Sequence, residues 1–260
     1  MGLVLLALAS CSKFKKIQKS TNMETKYQAA VSYYQSKDYF RALQLFEELV
    51  TIYRGSEKGE LSLYYFAKCH YNTKDYISAA YYFENFTKTY GTSIYAEECA
   101  YLVAYCNYLD SPINSLDQSN TMESLKQFQL FANRYPKSQY IAECNTIMDE
   151  LRLKLETKAF KNARLYYQIE DYKAAIISLN NVVKDYPYSA YKEECLFLIL
   201  KSSYIYAHKS IETKQSERFK VAIDNYHAYK ENFEHGKFMD EANKIADKIT
   251  DEIKIVSLKK

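Results

Sequence analysis

The chain has 260 residues, of which 28 are tyrosine, five glycine and three proline, and it has no tryptophan. So few helix breakers exclude a β-sandwich or a doubly wound sheet, both of which need many tight turns. A net charge of +3, with no basic block beyond the N-terminal region, argues against a nucleic-acid partner.

The sequence begins MGLVLLALASCSK. The apolar run over 3–9 is far shorter than the ~20 residues a spanning helix needs. It matches the apolar core of a secretory signal in length, without the positive charge that normally precedes one. Cys11 could be a free thiol, half of a disulfide or a lipid attachment point. Leu8-Ala9-Ser10-Cys11 looks like a bacterial lipobox, whose cysteine becomes the mature N-terminus and carries acyl chains. Cys11 is therefore the expected lipidation site, and its covalent lipid replaces any cofactor. Ser12 follows, as in lipoproteins sorted to the outer membrane. Three acyl chains anchor stably where one binds only marginally. Segment 12–23, SKFKKIQKSTNM, carries Lys13, Lys15, Lys16 and Lys19 without a helical period. It reads as a solvated basic tether, weakly attracted to anionic headgroups.

Self-comparison then exposes a repeat. KDYFRALQLFEELVTIY, KDYISAAYYFENFTKTY and EDYKAAIISLNNVVKDY align without gaps, ending at Tyr53, Tyr90 and Tyr186. Weaker copies end at Tyr135 and Phe233. Each copy places residues at steps of 4, 3 and 4: Ala42/Phe46/Leu49/Tyr53, Ala79/Phe83/Phe86/Tyr90, Ser124/Phe128/Phe131/Tyr135, Ala175/Leu179/Val182/Tyr186 and Ala222/Tyr226/Tyr229/Phe233. Those steps put each set on one helical face. Upstream of the copies lies a second helix with a small residue for close approach: Ala30, Ala67, Ala104 and Ala163. The pattern is similar to the tetratricopeptide repeat, helix A, turn, helix B. The fold expected is an all-α, right-handed superhelical solenoid of about five such pairs, because neighbouring pairs must stack to bury their apolar faces.

Two insertions interrupt the period, LDSPINSLDQSNT in repeat 3 and AHKSIETKQSE in repeat 5. Segment 138–169 lacks Gly and Pro and is expected to be one helix of about 32 residues, roughly 48 Å long. Residues 238–254 read as a capping helix. The division expected is a signal segment over 1–11, the tether over 12–23, repeats 1–3 over 24–137, and the long helix, repeats 4–5 and cap over 138–260.

The aromatic residues of the A-helices fall into columns. Tyr27, Tyr64, Tyr101, Phe160 and Phe197 form one. Seven residues on, Tyr34, Tyr71, Tyr108, Tyr167 and Tyr204 form another. Val31, Lys68, Tyr105, Arg164 and Lys201 lie between. Some of these rings are expected only to fill space between A-helices. The rest would line a half-wet trough, since tyrosine has an apolar body and a polar tip. The candidate partner-binding residues are Tyr27, Tyr34, Tyr64, Lys68, Tyr71, Tyr101, Tyr105 and Tyr108, with Lys68 placed to meet a peptide carboxylate.

Catalytic and metal-binding patterns are not evident. His70, His208, His227 and His235 have no spacing that suits a metal. No phosphate-binding glycine loop or nucleophile elbow occurs. Glu97-Glu98 and Glu193-Glu194 begin A-helices, where acidic residues favour the dipole. Cys69 with Cys106, and Cys99 with Cys195, share repeat positions and read as buried packing residues.

The stretch 134–187, from RYPKSQY through the long helix and ARLYYQIEDYKAAI to KDYP, together with the lipobox and five repeats, resembles the BamD family of outer-membrane protein assembly lipoproteins. The resemblance implies a non-enzymatic subunit, lipid-anchored at the periplasmic face of the outer membrane. Its partners would be the barrel-forming assembly subunit, through that subunit's periplasmic domains, other assembly lipoproteins, and unfolded outer-membrane proteins. The C-terminal repeats would dock the barrel subunit, and the N-terminal repeats would take the substrate's terminal signal. The competing reading is an envelope lipoprotein adaptor with the same repeats, acting in cell-wall or division machinery.

Overall fold

The computed structural model describes residues 13–258, so Cys11 and the apolar run before it lie outside the described residues. Every regular element among them is a helix. After a short helix α1 over 13–18, five A/B pairs follow. They are α2 (Met23–Gln35) with α3 (Tyr39–Ile52), α4 (Glu57–Asn72) with α5 (Tyr76–Thr89), and α6 (Ala96–Leu109) with α7 (Ser119–Arg134). Next come α8 (Ile141–Gln168) with α9 (Tyr172–Asp185), α10 (Lys192–His208) with α11 (Glu212–Asn232), and a final helix α12 (Met239–Leu258). Neighbouring helices in sequence pack on one another from α2 to α7 and from α9 to α12, as in a helical-repeat solenoid. No helix among the described residues is long and apolar enough to cross a membrane.

The KDY, KDY and EDY triplets set the A–B turns of repeats 1, 2 and 4. Lys37, Lys74 and Glu170 adopt φ of 63°, 64° and 64°, the left-handed conformation that reverses the chain. The aspartate that follows caps the next helix. Asp38, Asp75 and Asp171 accept hydrogen bonds from the backbone N–H of Arg41, Ser78 and Ala174, satisfying donors that a helix N-terminus leaves unpaired. The repeat 3 insertion lacks this triplet and is organised by buried Gln118. Its Nε2 donates to the carbonyls of Ile113 and Leu116, and its Oε1 accepts from Thr121. Much of the repeat 5 insertion is instead the first turn and a half of α11.

The B-helix steps of 4, 3 and 4 form the core as their spacing requires. Ala42, Phe46, Leu49, Ala79, Phe83, Phe86, Phe128, Ala175 and Leu179 are fully buried, as are the close-approach residues Ala30, Ala67 and Ala104. In repeat 5 Ala222 and Tyr229 are buried, with Tyr226 only partly covered.

Two details depart from the sequence reading. The basic segment is not a free tether along its length: residues 13–18 are helical and Phe14 is buried, with Ile17 packed beside it in the repeat 1 core. Two apolar residues three apart are enough to dock one helical turn, although they are too few to reveal a period. The chain also forms two compact units, one ending at Arg152 and the other starting at Leu153, so the division falls inside α8 rather than at 137/138. In the first unit α8 supplies Cys144, Ile147, Met148 and Leu151 to the core. In the second it supplies Phe160 and Ala163. The helix is 28 residues long and continuous. Leu153→Pro, at an exposed mid-helix position, is expected to cost about 3 kcal/mol or more through the lost backbone bond and ring clash. Thermal melting checks this, and a wild-type transition would contradict a continuous helix.

Candidate partner-binding surface

The first aromatic column is interior, not a trough. Tyr27, Tyr64, Tyr101, Phe160 and Phe197 are all buried. Each of the last four meets an aromatic residue that leads into the next A-helix. Tyr64 stacks on Tyr95 with centroids 4.4 Å apart, Tyr101 on Tyr140 at 4.3 Å, Phe160 on Tyr191 at 4.4 Å and Phe197 on Phe238 at 4.5 Å. Interplanar angles of 28°, 13°, 8° and 5° make these parallel stacks. Tyr27 has no such partner and lies under the Lys58 ammonium, 5.6 Å from its ring centroid. Tyr27, Tyr64 and Tyr101 are therefore withdrawn from the candidate surface, because their ring faces are already covered within the chain.

The cations of the middle column are also engaged. Lys68 Nζ lies 2.8 Å from Glu98, Arg164 Nε 3.5 Å from Glu194 and Lys201 Nζ 2.7 Å from Glu241. In each case the partner is a first-turn or early glutamate of the next A-helix. Glu98 accepts from the Tyr64 hydroxyl as well, at 2.8 Å. Burial and that carboxylate together push the Tyr64 phenol upward, and burial with Glu143 does the same to Tyr101. The paired glutamates thus do more than favour a helix dipole. They satisfy buried hydroxyls and cations across the repeat junction. Lys68, held by Glu98, is not a free receptor for a peptide carboxylate.

What remains of the expected surface in the first unit is Tyr34, Tyr71, Tyr105 and Tyr108, all half-buried. Tyr34 packs on Tyr65 at 4.7 Å, Tyr71 on Tyr76 at 5.9 Å, and Tyr105 lies between Tyr101 at 5.4 Å and Tyr108 at 5.7 Å. The Tyr108 hydroxyl donates to Glu150 at 3.0 Å, and that bond raises its phenol pKa. Each ring is held by rings of its own or the adjoining repeat and keeps part of its surface open to solvent. This suits contact with an extended apolar and hydrogen-bonding segment. The aromatics at the helix starts, in TSIY, KSQY, YSAY and GKF, escaped the sequence reading. Their recurrence before α6, α8, α10 and α12 was the available signal.

Cys69, Cys99, Cys106, Cys144 and Cys195 are buried and unpaired. Burial pushes the Cys69, Cys106 and Cys195 thiols up to about 12 and that of Cys144 to about 11. They stay protonated and inert at neutral pH. Among the described residues, no group of three or more His, Cys, Asp or Glu side chains could hold a metal ion.

These observations define a helical-repeat protein whose repeat junctions are sealed by ring stacks. Residues 19–219 match the YfiO family, described as outer membrane lipoprotein, and the chain belongs to that family. No curated protein sequence matches it.

The two aromatic columns should separate in stability. Tyr101→Ala is expected to cost about 3–5 kcal/mol, as for other buried aromatic truncations. Tyr71→Ala with Tyr108→Ala should cost far less, because both rings are partly solvated. Denaturant unfolding of the two variants measures the difference. Equal losses would contradict the division into buried stack and outer surface.

Proposed function

We propose that this protein is a lipid-anchored, non-enzymatic adaptor of the outer-membrane β-barrel assembly machinery, acting at the periplasmic face. The observation that carries the reading is the YfiO family match over 19–219 on a helical-repeat scaffold. In this reading Cys11 carries the lipid, the second unit docks the barrel-forming subunit through its periplasmic domains, and the first unit receives unfolded barrel proteins alongside other assembly lipoproteins. The terminal signal of such a substrate is an amphipathic strand with aromatic residues. Tyr34, Tyr71, Tyr105 and Tyr108 offer rings for those residues and hydroxyls for the strand's backbone. A substrate carboxylate would reach Lys68 only by displacing Glu98, so recognition is assigned to the rings.

Purification of the chain from solubilised outer membrane, with partners identified by mass, tests the assignment. Recovery of a barrel-forming subunit supports it, and recovery of cell-wall or division proteins instead would replace it with the envelope-adaptor reading. Cys11→Ser is expected to abolish acylation and release the chain from membranes, read by mass and fractionation. Buried aromatic anchors typically contribute about 2 kcal/mol each at binding hot spots. A folded Tyr71→Ala, Tyr108→Ala protein should therefore bind a terminal-signal peptide several hundred-fold more weakly, and wild-type binding would sink the assignment of that surface.

A further inference from the structure

The docked helix α1 fixes where the chain leaves the first repeat. Phe14 meets Tyr33, near the end of α2, with centroids 5.7 Å apart. The Arg41 guanidinium, in the first turn of α3, lies 5.8 Å from the same ring. Four residues on, the Gln18 side chain donates to Gln44 at 3.4 Å. Helix α1 therefore runs alongside α3 in the same direction, and the chain upstream of Phe14 departs at the A–B turn of repeat 1. Cys11 is three residues before Phe14, which limits their separation to about 11 Å at full extension.

That turn edge has an unusual surface. Phe40 is 72% and Ile77 73% exposed, at equivalent positions of repeats 1 and 2. Beside them stand the exposed turn residues Lys37 and Lys74. A recess of about 510 Å³ between the two turns is lined by Lys37, Asp38, Phe40, Asn72, Thr73 and Lys74. The Asp38 carboxylate is already held by Arg41 at 2.8 Å, and Asp75 lies 3.0 Å from His70. The exposed Lys13, Lys15, Lys16 and Lys19 of the adjoining segment add to the positive charge. Isolated large apolar side chains flanked by lysines are the chemistry of interfacial attachment, with apolar groups at the headgroup boundary and cations on lipid phosphates.

We propose that the A–B turn edge of repeats 1 and 2, carrying Lys37, Phe40, Lys74 and Ile77, lies on the membrane and contacts anionic phospholipid headgroups. The proposal rests on the reading of Cys11 as the anchor. With so short a leash the bilayer must lie close to this edge, so the protein is oriented by the surface and not hung from a flexible tether.

The test uses the full chain purified from membranes and reconstituted in vesicles of phosphatidylethanolamine with phosphatidylglycerol. A single fluorophore is placed on Phe40→Cys, Ile77→Cys or Ile94→Cys. The five described native thiols are buried and an acylated Cys11 carries no free thiol, so the introduced cysteine is labelled selectively in the acylated protein. Ile94 is 87% exposed and stands at the far end of α5, whose 14 residues span about 21 Å. Quenching by lipid-borne nitroxide is expected to be several-fold stronger at 40 and 77 than at 94. It should fall in phosphatidylcholine vesicles and in a Lys37→Gln, Lys74→Gln background. Equal quenching at all three positions, or stronger quenching at 94, would overturn the proposal. Mass measurement of the same preparation reports acylation separately. An unacylated Cys11 would remove the anchor reading, while the quenching pattern would still decide the surface.

Discussion

From α4 onward each A-helix is locked to the next helix of the same series, or to α12, by a pair of stacked rings, and the repeat array depends on that contact. An isolated helix pair leaves an apolar face open. Tyr64, Tyr101, Phe160 and Phe197 close it by meeting Tyr95, Tyr140, Tyr191 and Phe238 face to face. Burying an aromatic ring removes 150–250 Å² from water, and stacking adds about 0.5–1.5 kcal/mol to that. Tyrosine in this position imposes a further condition, since its buried hydroxyl needs an acceptor. The next helix supplies one: Glu98 serves Tyr64, and Glu143 lies against Tyr101. Where phenylalanine takes the place, the glutamate is free to hold a cation alone, as Glu194 holds Arg164 and Glu241 holds Lys201.

Five of the 28 tyrosines, Tyr64, Tyr95, Tyr101, Tyr140 and Tyr191, go into these stacks, which narrows the exposed aromatic surface. In the first unit Tyr34, Tyr71, Tyr105 and Tyr108 of the outer column stay half-buried and partly open to solvent. Helix α1 gives the same unit a second constraint. By packing Phe14 into the repeat 1 core it fixes a point only three residues along the sequence from Cys11.

The B-helices were legible because their core residues recur at 4, 3 and 4, and a period of that kind names one face. The KDY and EDY triplets served only to align the repeats, and their role as turn and cap emerged from the structure. The A-helix columns were harder. Spacing placed Tyr27, Tyr64 and Tyr101 on one face but could not say what lay across from it, and the covering rings sit in short segments outside any periodic run. Lys68 looked free for the same reason, since Glu98 is 30 residues away in sequence. Helix α1 was hidden by its lysines, because Phe14 and Ile17 make one turn and a period needs several. The end of the first unit within α8 carries no breaker, as continuous backbone passes between two cores.

Nitration of the folded protein, read tyrosine by tyrosine by peptide mass, tests the central claim most directly. The reagent needs exposed phenolate, and Tyr64 and Tyr101 are both covered and raised in pKa by burial and a neighbouring carboxylate. The account predicts that Tyr64 and Tyr101 stay unmodified while Tyr188, which is 100% exposed, is nitrated fully. Tyr34, Tyr71 and Tyr108 should fall between. Modification of Tyr64 and Tyr101 at the rate of Tyr188 would show that no ring stack seals the repeat junctions.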